Sequence, residues 1–340
     1  AWMRMVTLPF VDFHTRNAGS NVIFQFLQIG TAALDPQNIH SALKLVALHD
    51  PQSNAAKVIR FLHIKPNPNE IITTALGQKI SMGEAVKAME DNGVFQLGLL
   101  GATSPSTFAE RVTTDVKGVF NWHSLNPVNR NFLPFKAGGA IGAGIEGEAR
   151  ALAWLVDFQR TGDGFQAAQR TRQFMLDYST GLTPFEQTWM RRAIPFYTFF
   201  KQNMLLQIAQ TARQPGKQVI WTKLANELAK ANDVSQTEAD LLPDYVTDKL
   251  AMVVGRNDDG TLRLLSGNIM PIEDLAQLLS NPKKALLMLP GRASPFMMRP
   301  LEAVSNYSFF TQRAIDDPTT QNYYRRAWGA LAEVPGMRSW

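Results

Sequence analysis

Thr183-Pro184-Phe185-Glu186 commits the chain to a helix start. The Thr183 hydroxyl is placed to accept from the backbone N–H of Glu186 while the Glu186 carboxylate reaches back to the Thr183 N–H. Pro184 then falls at the first helical position, where a missing N–H costs nothing. Pro195 forbids smooth continuation, so the spacing predicts a short helix with Phe185 and Trp189 on one face, then a hinge. A second helix is expected from Phe196 to about Gln214, closed by Pro215-Gly216 and carrying Phe196, Phe200, Met204 and Ile208 at intervals of four. Arg191 and Arg192 occupy the last turn of the first helix, where cations suit the negative end of the dipole. Their plain role is capping that helix; the alternative is contact with a polyanion or another subunit, with Lys201 as the third candidate.

The same grammar recurs along the chain. Capping boxes stand at Ser81-Met82-Gly83-Glu84, Thr107-Phe108-Ala109-Glu110 and Ser235-Gln236-Thr237-Glu238. Asp35-Pro36 and Asp50-Pro51 separate helices expected over 21–33, 37–49 and 53–62. With no alternating apolar pattern, residues 1–135 read as all-helical, ending in an irregular aromatic connector over 121–135. From Ile145 a helix carries Ile145, Ala149, Leu152 and Val156 on one stripe, with Glu146 and Arg150 as an i,i+4 pair on its surface. Thr161-Gly162-Asp163-Gly164 ends it, and Phe165 to Leu176 forms the next. Lys217 to Lys230 reads as an amphipathic helix. Asn257-Asp258-Asp259-Gly260 is a hairpin turn between 251–254 and 261–265. Pro271 and Asn281-Pro282 each open a further helix. The expected fold is mainly α: an irregular multi-helix bundle with one small β-hairpin at about 250–266 and an extended C-terminal tail. Three regions follow: an N-terminal helical region at 1–135, a central helical module with the proline hinge at 136–232, and a hairpin, short helices and tail at 233–340.

Composition narrows the function classes. The absence of cysteine from all 340 residues removes disulfides, thiolate metal sites and cysteine nucleophiles together. No apolar run approaches the roughly 18 residues that a membrane-spanning helix needs. Ala1 is followed by no basic n-region with an apolar core, so no signal peptide is expected. The net charge of +5 is modest but uneven. Arg150 to Lys223 holds ten Lys/Arg against four Asp/Glu, whereas Asp233 to Asp274 holds nine acidic against three basic residues. The blocks can attract each other within one molecule or between neighbours, or serve as solvated helix faces.

Chemistry-bearing motifs are scarce. Gly142, Gly144 and Gly147 form a literal G-x-G-x-x-G, but a dinucleotide site needs a preceding buried strand, and a Pro-interrupted aromatic segment stands there instead. Gly138 and Gly142, four apart, instead suit close helix packing or a hinge. His14, His40, His49, His63 and His123 lack metal-ligand spacing, and Asp258-Asp259 lacks the rest of an EF-hand loop. No nucleophile elbow or P-loop is present. No catalytic, cofactor-binding or metal-ligating residue is expected.

The succession Gly142, Glu146, Arg150, Asp177-Tyr178-Ser179, Leu182 to Glu186, Arg191-Arg192, Ile194 to Thr198 and Lys201-Gln202-Asn203 resembles a module of the large internal virion proteins of tailed bacteriophages, the large polyvalent-protein-associated type. Leu242-Pro243-Asp244-Tyr245, Asp259-Gly260, Pro271 to Leu275 and Ser294 through Phe310 continue in the same order, so the resemblance covers roughly residues 120–320. It implies a non-enzymatic structural segment, packaged in the capsid near the portal, released with the genome and helping to form a conduit through the host envelope. It also implies the partners: copies of itself in a ring or tube, other virion proteins including the portal, and DNA phosphates or envelope lipid. The competing readings are a capsid or head-to-tail component that is never ejected, and an enzyme whose site the sequence conceals.

Overall fold

The computed structural model describes residues 11–95, 133–176, 182–190, 193–194, 197–242, 252–265, 295–308 and 313–314. The fold is mainly α. Helix α1 spans Val11–Ile29 and runs through a 3-10 turn, Gly30–Leu34, into α2, Pro36–His49. Asp35 caps α2 by accepting from the Gln37 N–H with Pro36 at the first position, as the Asp-Pro signal requires. Helix α3, Asn54–Phe61, is capped by Ser53, and α4, Met82–Asp91, opens on the full Ser81–Glu84 box.

Helix α5, Leu133–Thr161, is the axis of the larger unit. Every residue from Ala149 to Phe158 is buried, so this stretch meets protein on all sides. Helices α1 and α2 pack along it, and α6, Gly164–Phe174, folds back on it after the Gly162 turn. Asp163 caps α6 through Phe165 and Gln166 N–H groups. Trp154 stacks on Phe158 and donates its indole N–H to the Gly164 carbonyl at 3.0 Å, fastening that turn. Further along come α7, Tyr197–Arg213, α8, Pro215–Ala231, and the short α9, Gln236–Asp240, opened by the Ser235–Glu238 box.

Two charged residues lie inside the wall of α5. The Arg150 guanidinium, 1% exposed, bonds Glu146 at 3.0 Å and donates to the carbonyls of Met175 and Leu176 at 2.9 and 3.0 Å, just past the end of α6. Glu146 and Arg150 therefore form no surface pair: the arginine is a buried cap for a neighbouring helix end. Asp157 accepts from Gln28 Nε2 at 2.7 Å and faces Arg170 at 3.3 Å. Burial pushes its carboxyl up, opposed by the Gln28 hydrogen bond and by Arg170, Arg160 and Lys217.

Several sequence expectations are corrected. The N-terminal region is not all-helical: β1, Ile71–Thr73, pairs antiparallel with β2, Lys79–Ser81, across a turn that uses Gly77 at φ 80°. Three β-branched residues and a glycine suffice for a ribbon too short for a periodicity argument. The connector expected to reach residue 135 has given way to helix at Leu133, and Gly138 to Gly147 all lie inside α5, so no hinge exists there. The buried face of α7 is not its apolar stripe. Thr198, Asn203, Leu206, Gln207 and Gln210 are buried while Ile208 is 48% exposed: Gln207 bonds Asn203 inside the core, and Phe199 meets Phe24. The expected hairpin is present as β3, Met252–Arg256, and β4, Leu262–Leu265, with a bulge between Val253 and Gly255. Helices expected at Thr107, Pro271 and Asn281, and the tail beyond 314, lie outside the described residues.

The chain divides into two units, residues 1–182 with 198–275 and residues 183–197 with 276–340. In the second, α10, Pro295–Ser305, tolerates Pro300 in its interior and leads to a two-residue ribbon, β5 at Tyr307–Ser308 with β6 at Arg313–Ala314. Arg150→Ala is expected to lower the unfolding free energy of the chain by roughly 3 kcal/mol in urea titrations, since it strips the cap from α6 and leaves Glu146 without its cation.

Candidate functional site

Among the described residues, an open groove of about 480 Å³ lies between α1, the 3-10 turn, α2, α3 and α5. One face of α1 supplies Ala18, Asn21, Val22 and Gln25, and one face of α5 supplies Ile141, Gly144, Ile145, Glu148 and Leu152. These are the i, i+3, i+4, i+7 positions of two helices lying side by side. Leu34, Ile39, Leu43 and Val58 close the other side. The size and apolar lining match those of sites that hold a ligand or a partner's side chains.

Glu148 is the one ionisable group in the lining, and it has no hydrogen-bond or ion-pair partner among the described residues. Desolvation alone raises its carboxyl to about 7. Asn21 adds a buried amide nitrogen without a hydrogen-bond partner, whereas Gln25 is satisfied by the Ala149 carbonyl at 3.2 Å. An occupant that brings a cation to Glu148 would offset a desolvation that the protein itself leaves uncompensated. Sequence reasoning missed this site because its signal is a lone carboxylate on the groove-facing side of a glycine-containing helix, a pattern with no motif attached.

The sequence-nominated residues sit elsewhere. Thr183 and Glu186 form both bonds of their box, at 3.3 and 2.7 Å, with Pro184 exposed at the first helical position. The helix they start widens at once into a π turn, Glu186–Met190. Glu186 also accepts from the Tyr197 hydroxyl at 2.7 Å, a bond that raises the phenol to about 12. This carboxylate thus ties the turn to the first residue of α7, across the break expected at Pro195. Ile194 is a bend and α7 is described from Tyr197, while Pro195, Phe196, Arg191 and Arg192 lie outside the described residues. Lys201 is half-buried on α7. Gly138 and Gly142 share α5, where Gly142 is buried; among the lower glycines, a side chain at Gly147 would meet Val46 of α2. The G-x-G-x-x-G thus lies wholly within a helix, without the strand and turn a dinucleotide fingerprint requires.

Elsewhere, Arg256 grips Glu238 with both nitrogens at 2.8 and 3.1 Å and holds its carboxyl down at about 2, binding the hairpin to α9 within the acidic block. Among the described residues no group of three or more His, Asp or Glu is arranged to hold a metal ion, and no helix is long and apolar enough to cross a membrane. No protein-family model, curated protein or solved structure matches this chain.

A carboxyl raised in the folded state binds more protons there than in the unfolded chain. Its effect on stability is therefore nil below pH 4.5 and unfavourable as pH rises towards 7. Relative to Glu148→Gln, the wild type is expected to lose up to about 3 kcal/mol between these limits, read from paired denaturation curves at pH 4.5 and 8.

Proposed function

We propose that this chain is a non-enzymatic structural segment of an internal virion protein of a tailed bacteriophage. It packs against copies of itself and companion subunits near the portal and helps to form the path by which the genome leaves through the host envelope. The ordered motifs from Gly142 to Phe310 resemble that family. The observation that carries the packing role is the capped turn at its centre, where Phe185 and Trp189 stand 62% and 64% exposed. Aromatic side chains displayed on a fixed turn are the residue types that dominate protein interfaces. A chain without cysteine carries no disulfide cross-link to obstruct passage through a narrow opening followed by refolding.

Quantitative mass spectrometry of purified particles before and after genome release tests the reading. Peptides of this chain are expected in full particles and strongly depleted from emptied ones. Retention in emptied particles would support the capsid or head-to-tail alternative, and absence from both would overturn the virion assignment.

A further inference from the structure

We propose that two copies of this chain pair about a two-fold axis, with Phe61 of each inserted into the groove beside α3 of the other and Lys57 of each brought to the partner's Glu148. The proposal deepens the self-packing part of the reading above and does not depend on where in a virion, or whether in one, the chain resides.

The groove and its complement share one face. Val58 lines the groove and is 45% exposed. One turn further along α3 and its cap, Phe61 is 81% and Leu62 53% exposed, so a convex apolar ridge stands directly beside the concave apolar site. Val22, Leu34 and Ile141, all groove-lining and 41–62% exposed, extend the apolar surface on the other side. A contiguous patch of this kind marks an interface. A knob and a hole adjoining on the same surface are what an isologous contact needs, because the two-fold operation then carries each knob to the other copy's hole.

Charge points to the same occupant. Lys57 lies four residues before Phe61, exposed and without an ion-pair partner among the described residues. Arg60, the neighbouring cation, is held by the carbonyls of Ala56 and Pro51. The free cation on the ridge and the unpaired carboxyl in the groove are complementary across the axis, and pairing them would supply what Glu148 lacks within its own chain.

Sedimentation equilibrium on the purified full chain is expected to give a monomer–dimer equilibrium. Phe61→Asp, at a position too exposed to matter for folding, should weaken it at least ~tenfold. Lys57→Glu and Glu148→Lys should each weaken it, and the double variant should recover most of the loss. Circular dichroism identifies any variant that fails to fold, and Phe61→Asp with Lys57→Glu suffices if Glu148→Lys does. A monomer at all concentrations, a dimer indifferent to Phe61→Asp, or native mass spectra in which the groove of a monomer carries a co-purified small amphiphile would each overturn the proposal. None of these outcomes bears on the particle experiment, so the two readings fail separately.

Discussion

The structure depends on burying the middle of α5 from every direction. A helix sunk on all sides cannot be served by one partner, and α1, α2, α4 and α6 are each drawn into contact with one sector of it or with the cluster around it. The two charged positions within the buried stretch, Arg150 and Asp157, sit seven residues apart and so point the same way round the helix, with α1 and α6 on that side. Each bonds something that also closes a piece of architecture: Arg150 the carbonyls at the end of α6, Asp157 Gln28 of α1 and Arg170 of α6. The polar groups thus fix the positions of neighbours that apolar packing alone would let slide.

Local grammar was the legible part. The boxes at Ser81, Thr183 and Ser235 form as written, and Asp-Pro marks the start of α2, because a cap is decided by residues within four positions of it. The Asn257–Gly260 hairpin belongs to the same class. Which face of a helix turns inward was less legible. On α7 the four-residue apolar stripe lost to a polar one, since Asn203 and Gln207 satisfy each other and leave Ile208 to solvent. The fate of Arg150 was equally hidden, because its carbonyl partners lie 25 and 26 residues away. The groove was invisible for the related reason that it is shared among five elements, and the signals some of them carry, the Asp35-Pro36 cap and the glycines of α5, concern local backbone and not the space between helices.

The end of α1 explains the charge distribution that the sequence left open. Gln25 bonds the Ala149 carbonyl, Gln28 bonds Asp157 and Arg160 bonds the Ile29 carbonyl, so contacts advance together along α1 and α5 and the helices run parallel. Parallel packing sets two negative helix ends side by side, at Ile29 and Thr161, with the Asp157 carboxylate nearby. Arg160 and Lys217 answer this directly, donating to the Ile29 and Leu27 carbonyls at 2.7 Å each, and Arg170 faces Asp157. Burial and the two arginines press the Lys217 ammonium down, with Asp157 opposing them. With the buried Arg150, Arg160, Arg170 and Lys217 make four of the ten cations in the basic stretch that are committed to the electrostatics of the fold. Counting them as a polyanion-binding surface would credit the same charges twice, so any anionic partner must be met by the remainder.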